Sequence, residues 1–306
     1  MKKSYSYRIV NVFAQSTLAG NALCVFEDAT GMDGETMQAL ANQFNLSETT
    51  FLLPESSKKP ITVRIFTPTF EMPFAGHPTL GSAFVVRDLY EKRDGFSLQM
   101  QAGLIAVTAT GDSFQFNALP ATWREVPVAF DTLAEAIGVD VNQIATPPLW
   151  VNTGSDQLII ELKSEDAVRN AKPNAAKLTQ IKSSRNRSMA YLFCATGAAE
   201  GTTTVLARFF FTPNGSIAED PGTGSATANL GGYFIAKGRS LPIDAAIIQG
   251  EAVKRVCHLG LKVDEQKNIF VSGNVIELGR GTVFVEPECS KSLIYRLLQP
   301  KKIKPI

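Results

Sequence analysis

One motif occurs twice in the chain, and this constrains the fold more than any other feature. Thr67-Pro68, Gly76-His77-Pro78-Thr79 and Gly81-Ser82-Ala83 are echoed by Thr212-Pro213 and Asp220-Pro221-Gly222-Thr223-Gly224-Ser225-Ala226. Setting Thr67 against Thr212 gives an offset of 145, and His77 against Asp220 or Ser82 against Ser225 an offset of 143. The flanking order repeats too. In the first copy, Asp33 can cap a helix carrying Met37, Leu40, Ala41 and Phe44 on one face, followed by strand-like runs at Thr49–Leu53 and Val63–Phe66. In the second, Asn174 can cap a helix with Ala176, Leu178 and Ile181, followed by Ala190–Phe193 and Arg208–Phe211. Two copies mean a duplication, since a solenoid needs about three or more.

The segments after the two turns, Leu80–Val86 and Ala226–Ala236, are apolar or small on nearly every face. A helix of that kind is buried. Each is expected to run through the middle of its half, wrapped by short strands, which makes the fold α+β rather than alternating βαβ. Asn117-Ala118-Leu119-Pro120 reads as the crossover and Pro147-Pro148 as a loop. The expected division is a first domain over residues 1–118, completed by 285–306, and a second over 119–284.

Composition removes several classes of function. A net charge of +1 with scattered basic residues gives no field to gather nucleic acid, so no nucleic-acid partner is expected, and the Lys301-Lys302 tail reads as a solvated charge run. No signal-like stretch follows Met1, and no segment approaches the roughly 18 apolar residues of a membrane helix, so no membrane is expected. Cys24, Cys194, Cys257 and Cys289 are far apart, which suits reduced thiols in a cytoplasm. The two histidines, His77 and His258, lack a second ligand at i+4, and there is no Walker-type or Gly-x-Gly-x-x-Gly loop. No metal and no cofactor are expected.

Pro78 and Pro221 suit first turns of helices, which would put His77 and Asp220 at or beside N-caps. Free N–H groups of Gly76, His77, Gly224 and Ser225 would then face an anion at the positive helix ends, unless both segments are merely tight strand-to-helix turns. Glu48 lies where an amphipathic helix gives way to a core strand; a partly desolvated carboxylate there has its pKa raised toward acid/base use, whereas a solvated edge residue would not. Matching Ser47 with Ser188 sets Met189 opposite Glu48, so the acid occurs in one half only. His77 is a proton relay, a donor to substrate or a packing residue. Asp220 is a cap or an orienting partner, Ser225 a small packing residue or a ligand contact, and His258 structural.

These residues resemble a known family. Asn11-Val12-Phe13 with Gly20-Asn21, Asn45–Phe51, Arg64–Pro68, Pro73–Gly81 and Glu219–Ala226 are together similar to the phenazine-biosynthesis isomerase (PhzF-like) family, from about residue 7 to about 250. The resemblance implies the diaminopimelate-epimerase-type fold: two pseudo-symmetric domains, each a curved strand barrel around a central buried helix, with the active site between them. It also implies a homodimer and a cofactor-independent isomerase acting on a small anionic metabolite. Glu48 would be the single acid/base, with His77 and Asp220 assisting and the Gly76-His77 and Gly224-Ser225 amides holding the substrate carboxylate. Racemases of this fold use one cysteine per half; Ala75 and Pro221 occupy those places here. The alternatives are a non-catalytic metabolite-binding protein with the same cleft, or an epimerase or racemase of the same fold. The chain departs from the family pattern at Gly222, where an apolar residue is common, and over Glu251–His258.

Overall fold

A computed structural model describes residues 2–55, 60–91, 93–199 and 201–286. All of the expected 285–306 completion except Val285 and Glu286 lies outside the described residues, as does Cys289.

The first half runs β1 (Lys3–Val12), β2 (Asn21–Phe26), α1 (Gly34–Phe44), β3 (Glu48–Leu53), β4 (Ile61–Phe66), β5 (Glu71–Met72), α2 (Gly76–Val86), β6 (Gly95–Met100), β7 (Gly103–Thr110) and β8 (Ser113–Asn117). Asp33 caps α1 as expected, accepting the Thr36 N–H at 2.7 Å, and Asn45 ends the helix in the left-handed region at φ 51°. The second half runs β9 (Thr122–Glu125), α3 (Phe130–Ile137), β10 (Leu149–Asn152), β11 (Asp156–Glu161), α4 (Glu165–Asn170), α5 (Ala175–Leu178), β12 (Met189–Ala199), β13 (Thr202–Phe211), β14 (Ala218–Asp220), α6 (Gly224–Ala236), β15 (Ile243–Gln249), β16 (Cys257–Val263) and β17 (Ile269–Val285).

Strand pairing reproduces the duplication. In the first half β1–β2 is antiparallel, β2–β3 parallel, β3–β4 antiparallel, β4–β6 parallel, and β6–β7 and β7–β8 antiparallel. The second half repeats these senses in order through β10–β11, β11–β12, β12–β13, β13–β15, β15–β16 and β16–β17. The long β17 serves both sheets. Its first residues pair with β16 and β8, and Val275–Val285 runs along β1, closing the first half into a barrel. Conversely β9, which follows β8 in the chain, pairs with β10. A boundary at 118/119 therefore passes between β8 and β9.

Both central helices are buried nearly all round, α2 everywhere except Phe84, because the strands enclose them. One apolar core runs through both halves from Val10 to Val275, with satellite clusters beneath α1 and beneath α3 to α5. No helix among the described residues is long and apolar enough to cross a membrane.

Closure of the first barrel also depends on charge. Arg8 of β1, 1% exposed, donates Nε to Glu27 at 2.6 Å and Nη1 to Asp88 at 2.7 Å and to Glu277 of β17 at 3.1 Å. Removing one member of a buried pair leaves the others uncompensated. Arg8→Met is expected to cost about 3 kcal/mol, at the low end of that class because the carboxylates keep some water. Urea denaturation checks it; a midpoint within error of the parent would refute the role.

Candidate active site

The two helix starts meet. A Cβ on Gly76 would lie 2.7 Å from the Gly224 carbonyl carbon and 2.8 Å from the Ser225 nitrogen, so only a bare α-carbon permits this approach. Neither N-cap, Ala75 of α2 nor Thr223 of α6, supplies a side-chain cap. Two positive dipole ends with uncapped amides thus converge on one place, which is costly without an anion and favourable with one.

The boundaries differ from expectation. Helix α2 begins at Gly76, so His77 is its second residue, inside the first turn rather than at the cap. Helix α6 begins at Gly224, and Pro221 and Asp220 precede its N-cap, Asp220 closing β14. The starts therefore set Gly76 against Gly224, an offset of 148 rather than 143. The strand-to-helix links are equal in length, residues 73–75 and 221–223. The added residues therefore lie earlier, between Thr212-Pro213 and β14, where the offset grows from 145 at Thr67 and Thr212 to 148 at Met72 and Asp220. Thr223 donates its hydroxyl to Asp220 instead of capping.

Glu48 stands at the first residue of β3. Strand alternation turns Glu48, Thr50 and Leu52 toward α2; Thr50 accepts a 2.9 Å hydrogen bond from Ser82 of that helix, and Leu52 joins the central core. The Glu48 side chain keeps 16% exposure, and its Oε2 lies 3.5 Å from Nε2 of His77, an atom with no hydrogen-bond partner. Burial drives the imidazole down to about 3 despite a backbone hydrogen bond to Ala22, so His77 is neutral across the ordinary pH range. Burial pushes the Glu48 carboxyl up, and the negative charge of Asp220 pushes it further. Asp220 is also raised by burial, an effect opposed by hydrogen bonds from Thr223 and Asn21 and reinforced by Glu219. Glu48, the more strongly raised of the two carboxyls, keeps its proton to higher pH than Asp220.

Two site residues escaped sequence reasoning. Asn21, 2% exposed, donates Nδ2 to Asp220 Oδ1 at 2.9 Å and to the Gly222 carbonyl at 3.0 Å, and lies 3.4 Å from His77 Nδ1. Gln249, fully buried, donates to the Asp220 carbonyl at 2.8 Å and to Thr223 Oγ1 at 3.0 Å, and accepts the Thr223 N–H at 3.2 Å. Each adjoins a glycine of positive φ, Gly20 at 79° and Gly250 at 84°, and that pairing was the available signal. Ser225 spends its hydroxyl accepting from Gln157 at 3.0 Å, which leaves its amide for the cleft. His258 lies in β16, its N–H donating to the Phe13 carbonyl at 2.9 Å.

The departures at Gly222 and Cys257 explain one another. A Cβ on Gly222 would come within 2.6 Å of the Cys257 Sγ, so the thiol fills the space a side chain at 222 would need. Cys24, Cys194 and Cys257 are all buried, and burial raises their thiol pKa values, which suppresses the thiolate a two-cysteine racemase requires. In the second half Met189, Tyr191 and Phe193 face α6, so Met189 occupies the position that Glu48 has in the first.

A desolvated Glu48 held against a second buried carboxyl, Asp220, beside two converging helix starts is an arrangement that can move a proton on a bound anion. Comparison with known proteins agrees. The chain matches the phenazine biosynthesis-like protein family (PhzC-PhzF) over residues 10–281. It is 40% identical to an isomerase of Pasteurella multocida, named as uncharacterised, over 93% of this chain and 96% of that one. It is 30% identical to a trans-2,3-dihydro-3-hydroxyanthranilate isomerase of Pseudomonas chlororaphis, over 91% and 99%. Among solved structures, a PhzF-family phenazine biosynthesis protein of Bacillus anthracis superposes with a TM-score of 0.80 at 22% identity, covering 92% of this chain and 99% of that one. The fold is of the diaminopimelate-epimerase type, and the protein is an isomerase. The chain belongs to the PhzC-PhzF family.

Proposed function

We propose that the protein is a cofactor-independent isomerase in which Glu48 alone moves a proton between two carbons of a small carboxylate-bearing metabolite. The observation that carries this reading is the asymmetry of the duplicated site. Uncapped helix starts occur in both halves, but the residue opening the strand that faces each helix is Glu48 in one and Met189 in the other. The substrate carboxylate sits against the amides of Gly76, His77, Gly224 and Ser225. Ionised Glu48 takes a proton from carbon; the C–H electron pair moves into unsaturation conjugated with the carboxylate, where the amides stabilise the developing charge. The same carboxyl then returns the proton to another carbon on the same face. Neutral His77 offers Nε2 to the Glu48 carboxyl, and Asp220 sets how tightly that carboxyl holds its proton.

The named substrate of the Pseudomonas chlororaphis relative, trans-2,3-dihydro-3-hydroxyanthranilate, is the first compound to try. Incubated with the protein in D2O, it should give isomer, labelled with carbon-bound deuterium to the extent that the Glu48 proton exchanges with solvent before its return, and Glu48→Gln should give no isomer. Isomer formation unchanged in that variant would remove Glu48 from the mechanism. Asp220→Asn deletes the negative charge that raises Glu48 and keeps an acceptor for Asn21. The acidic limb of the pH–rate profile, where ionisation of Glu48 switches the reaction on, is therefore expected to move to lower pH; an unmoved limb would show that the charge of Asp220 does not set the Glu48 pKa.

A further inference from the structure

A small pocket lies between the halves. It is lined by Phe74, two residues before the start of α2, and by Met189, the second-half counterpart of Glu48. The bare α-carbon of Gly154 adjoins the Phe74 ring, where a Cβ would lie 3.4 Å from Cδ1. Its wall carries Asp156, Arg185 and Arg187.

The charges do not balance. Both Asp156 oxygens are taken by Arg124, at 2.7 and 3.0 Å, and the carboxylate also accepts the Ser184 N–H at 2.8 Å. Arg185 and Arg187 make no ion pair among the described residues. Burial holds the Arg187 guanidinium below its ordinary pKa, and the like charge of Arg185 depresses it further. Arg187 is nevertheless held in place across the cleft, its guanidinium 4.5 Å above the ring of Phe70 in the first half. Two adjacent guanidiniums with no counter-ion, one of them fixed, make a seat for an oxyanion.

We propose that Arg185 and Arg187 bind a second anionic group of the substrate, a carboxylate or a phosphate. The substrate is then a dianion, unlike trans-2,3-dihydro-3-hydroxyanthranilate with its single carboxylate, with one carboxylate at the Gly76 and Gly224 helix starts and the other oxyanion at the arginines. The inference rests on the isomerase reading for its first carboxylate, but its test separates the two.

Calorimetric titration would use benzoate, isophthalate and 3-(phosphonooxy)benzoate, which share a ring and a carboxylate and differ in the second group. The expected result is that at least one of the two dianions binds roughly tenfold or more tightly than benzoate, as a desolvated charge-assisted contact permits. In Arg185→Gln/Arg187→Gln this advantage should fall to about twofold or less with benzoate affinity unchanged, and Arg187→Lys should restore part of it. The probe that loses more in the double variant identifies the oxyanion. Equal binding of all three by the parent protein overturns the proposal, as does a dianion advantage that survives the double variant. Failure of benzoate to bind, together with arginine-dependent binding of a dianion, would sink the helix-start site and leave the arginine seat standing.

Discussion

Glu48→Gln is expected to lower turnover by about 10²–10⁴-fold, the range for loss of a positioned acid/base, and at the same time to raise stability at alkaline pH. Both effects follow from one cause. Burial and the charge of Asp220 lift the folded-state pKa of Glu48 above its ordinary 4.5. A group whose folded pKa is raised binds its proton more tightly when folded, so its contribution is fully present below the unfolded pKa and is lost as pH rises through the folded value. Glutamine mimics the protonated carboxyl at every pH. The variant and the parent should therefore melt together near pH 4, and the difference should open above 4.5, widen through neutrality and level off once the folded carboxyl ionises. At pH 9 the variant is expected to melt about 3 °C higher or more. Thermal melts from pH 4 to 9 check this. A variant that melts below the parent at pH 9 would mean that ionised Glu48 is stabilised in the fold, and the desolvation account would fail.

Gly76→Ala should be the most damaging methyl group that can be added at the helix junction. Its Cβ would lie 2.7–2.8 Å from backbone atoms of Gly224 and Ser225, and backbone in two buried helices has no flexible end to swing aside. The helices must separate, at an expected cost of about 3 kcal/mol. Gly224→Ala is the internal control. There the added atom meets the Phe13 ring at 3.1 Å and Gly76 at 3.2–3.3 Å, contacts a few tenths of an ångström too close, and the expected cost is about 1 kcal/mol. Urea denaturation gives the stabilities and benzoate titration the affinities. The converging-amide account requires Gly76→Ala to lose more of both than Gly224→Ala; the reverse ranking would refute it.

Residues close in sequence revealed the elements and their duplication. Asp33 announced α1, and the small and apolar runs after the two turns announced buried α2 and α6. The parallel and antiparallel senses of the strands then repeat between halves, as the order of motifs required. The helix starts were less legible. Pro78 lies in the first turn of α2, but Pro221 precedes α6, because at the offset of 148 set by the helix starts its counterpart is Pro73 rather than Pro78.

The site was legible in part. Glu48, His77 and Asp220 do come together, and the family resemblance assigned their roles; residue patterns alone left Glu48 open to a solvated-edge reading. Asn21 and Gln249 were missed because a buried amide gains meaning only from its partners, and Asn21 reaches Asp220 across 199 positions of sequence. The same holds for Arg185 and Arg187, which in sequence belong to an ordinary polar loop.

The sequence by itself determined that two like halves would each enclose an apolar helix, because turns, caps and strand alternation are decided within a few residues. Only the tertiary structure decided that the two helices meet start to start, that Cys257 fills the space beside Gly222, and that burial and the charge of Asp220 raise the Glu48 carboxyl. Desolvation and charge coupling depend on distance in space, and these contacts join residues that the chain keeps far apart.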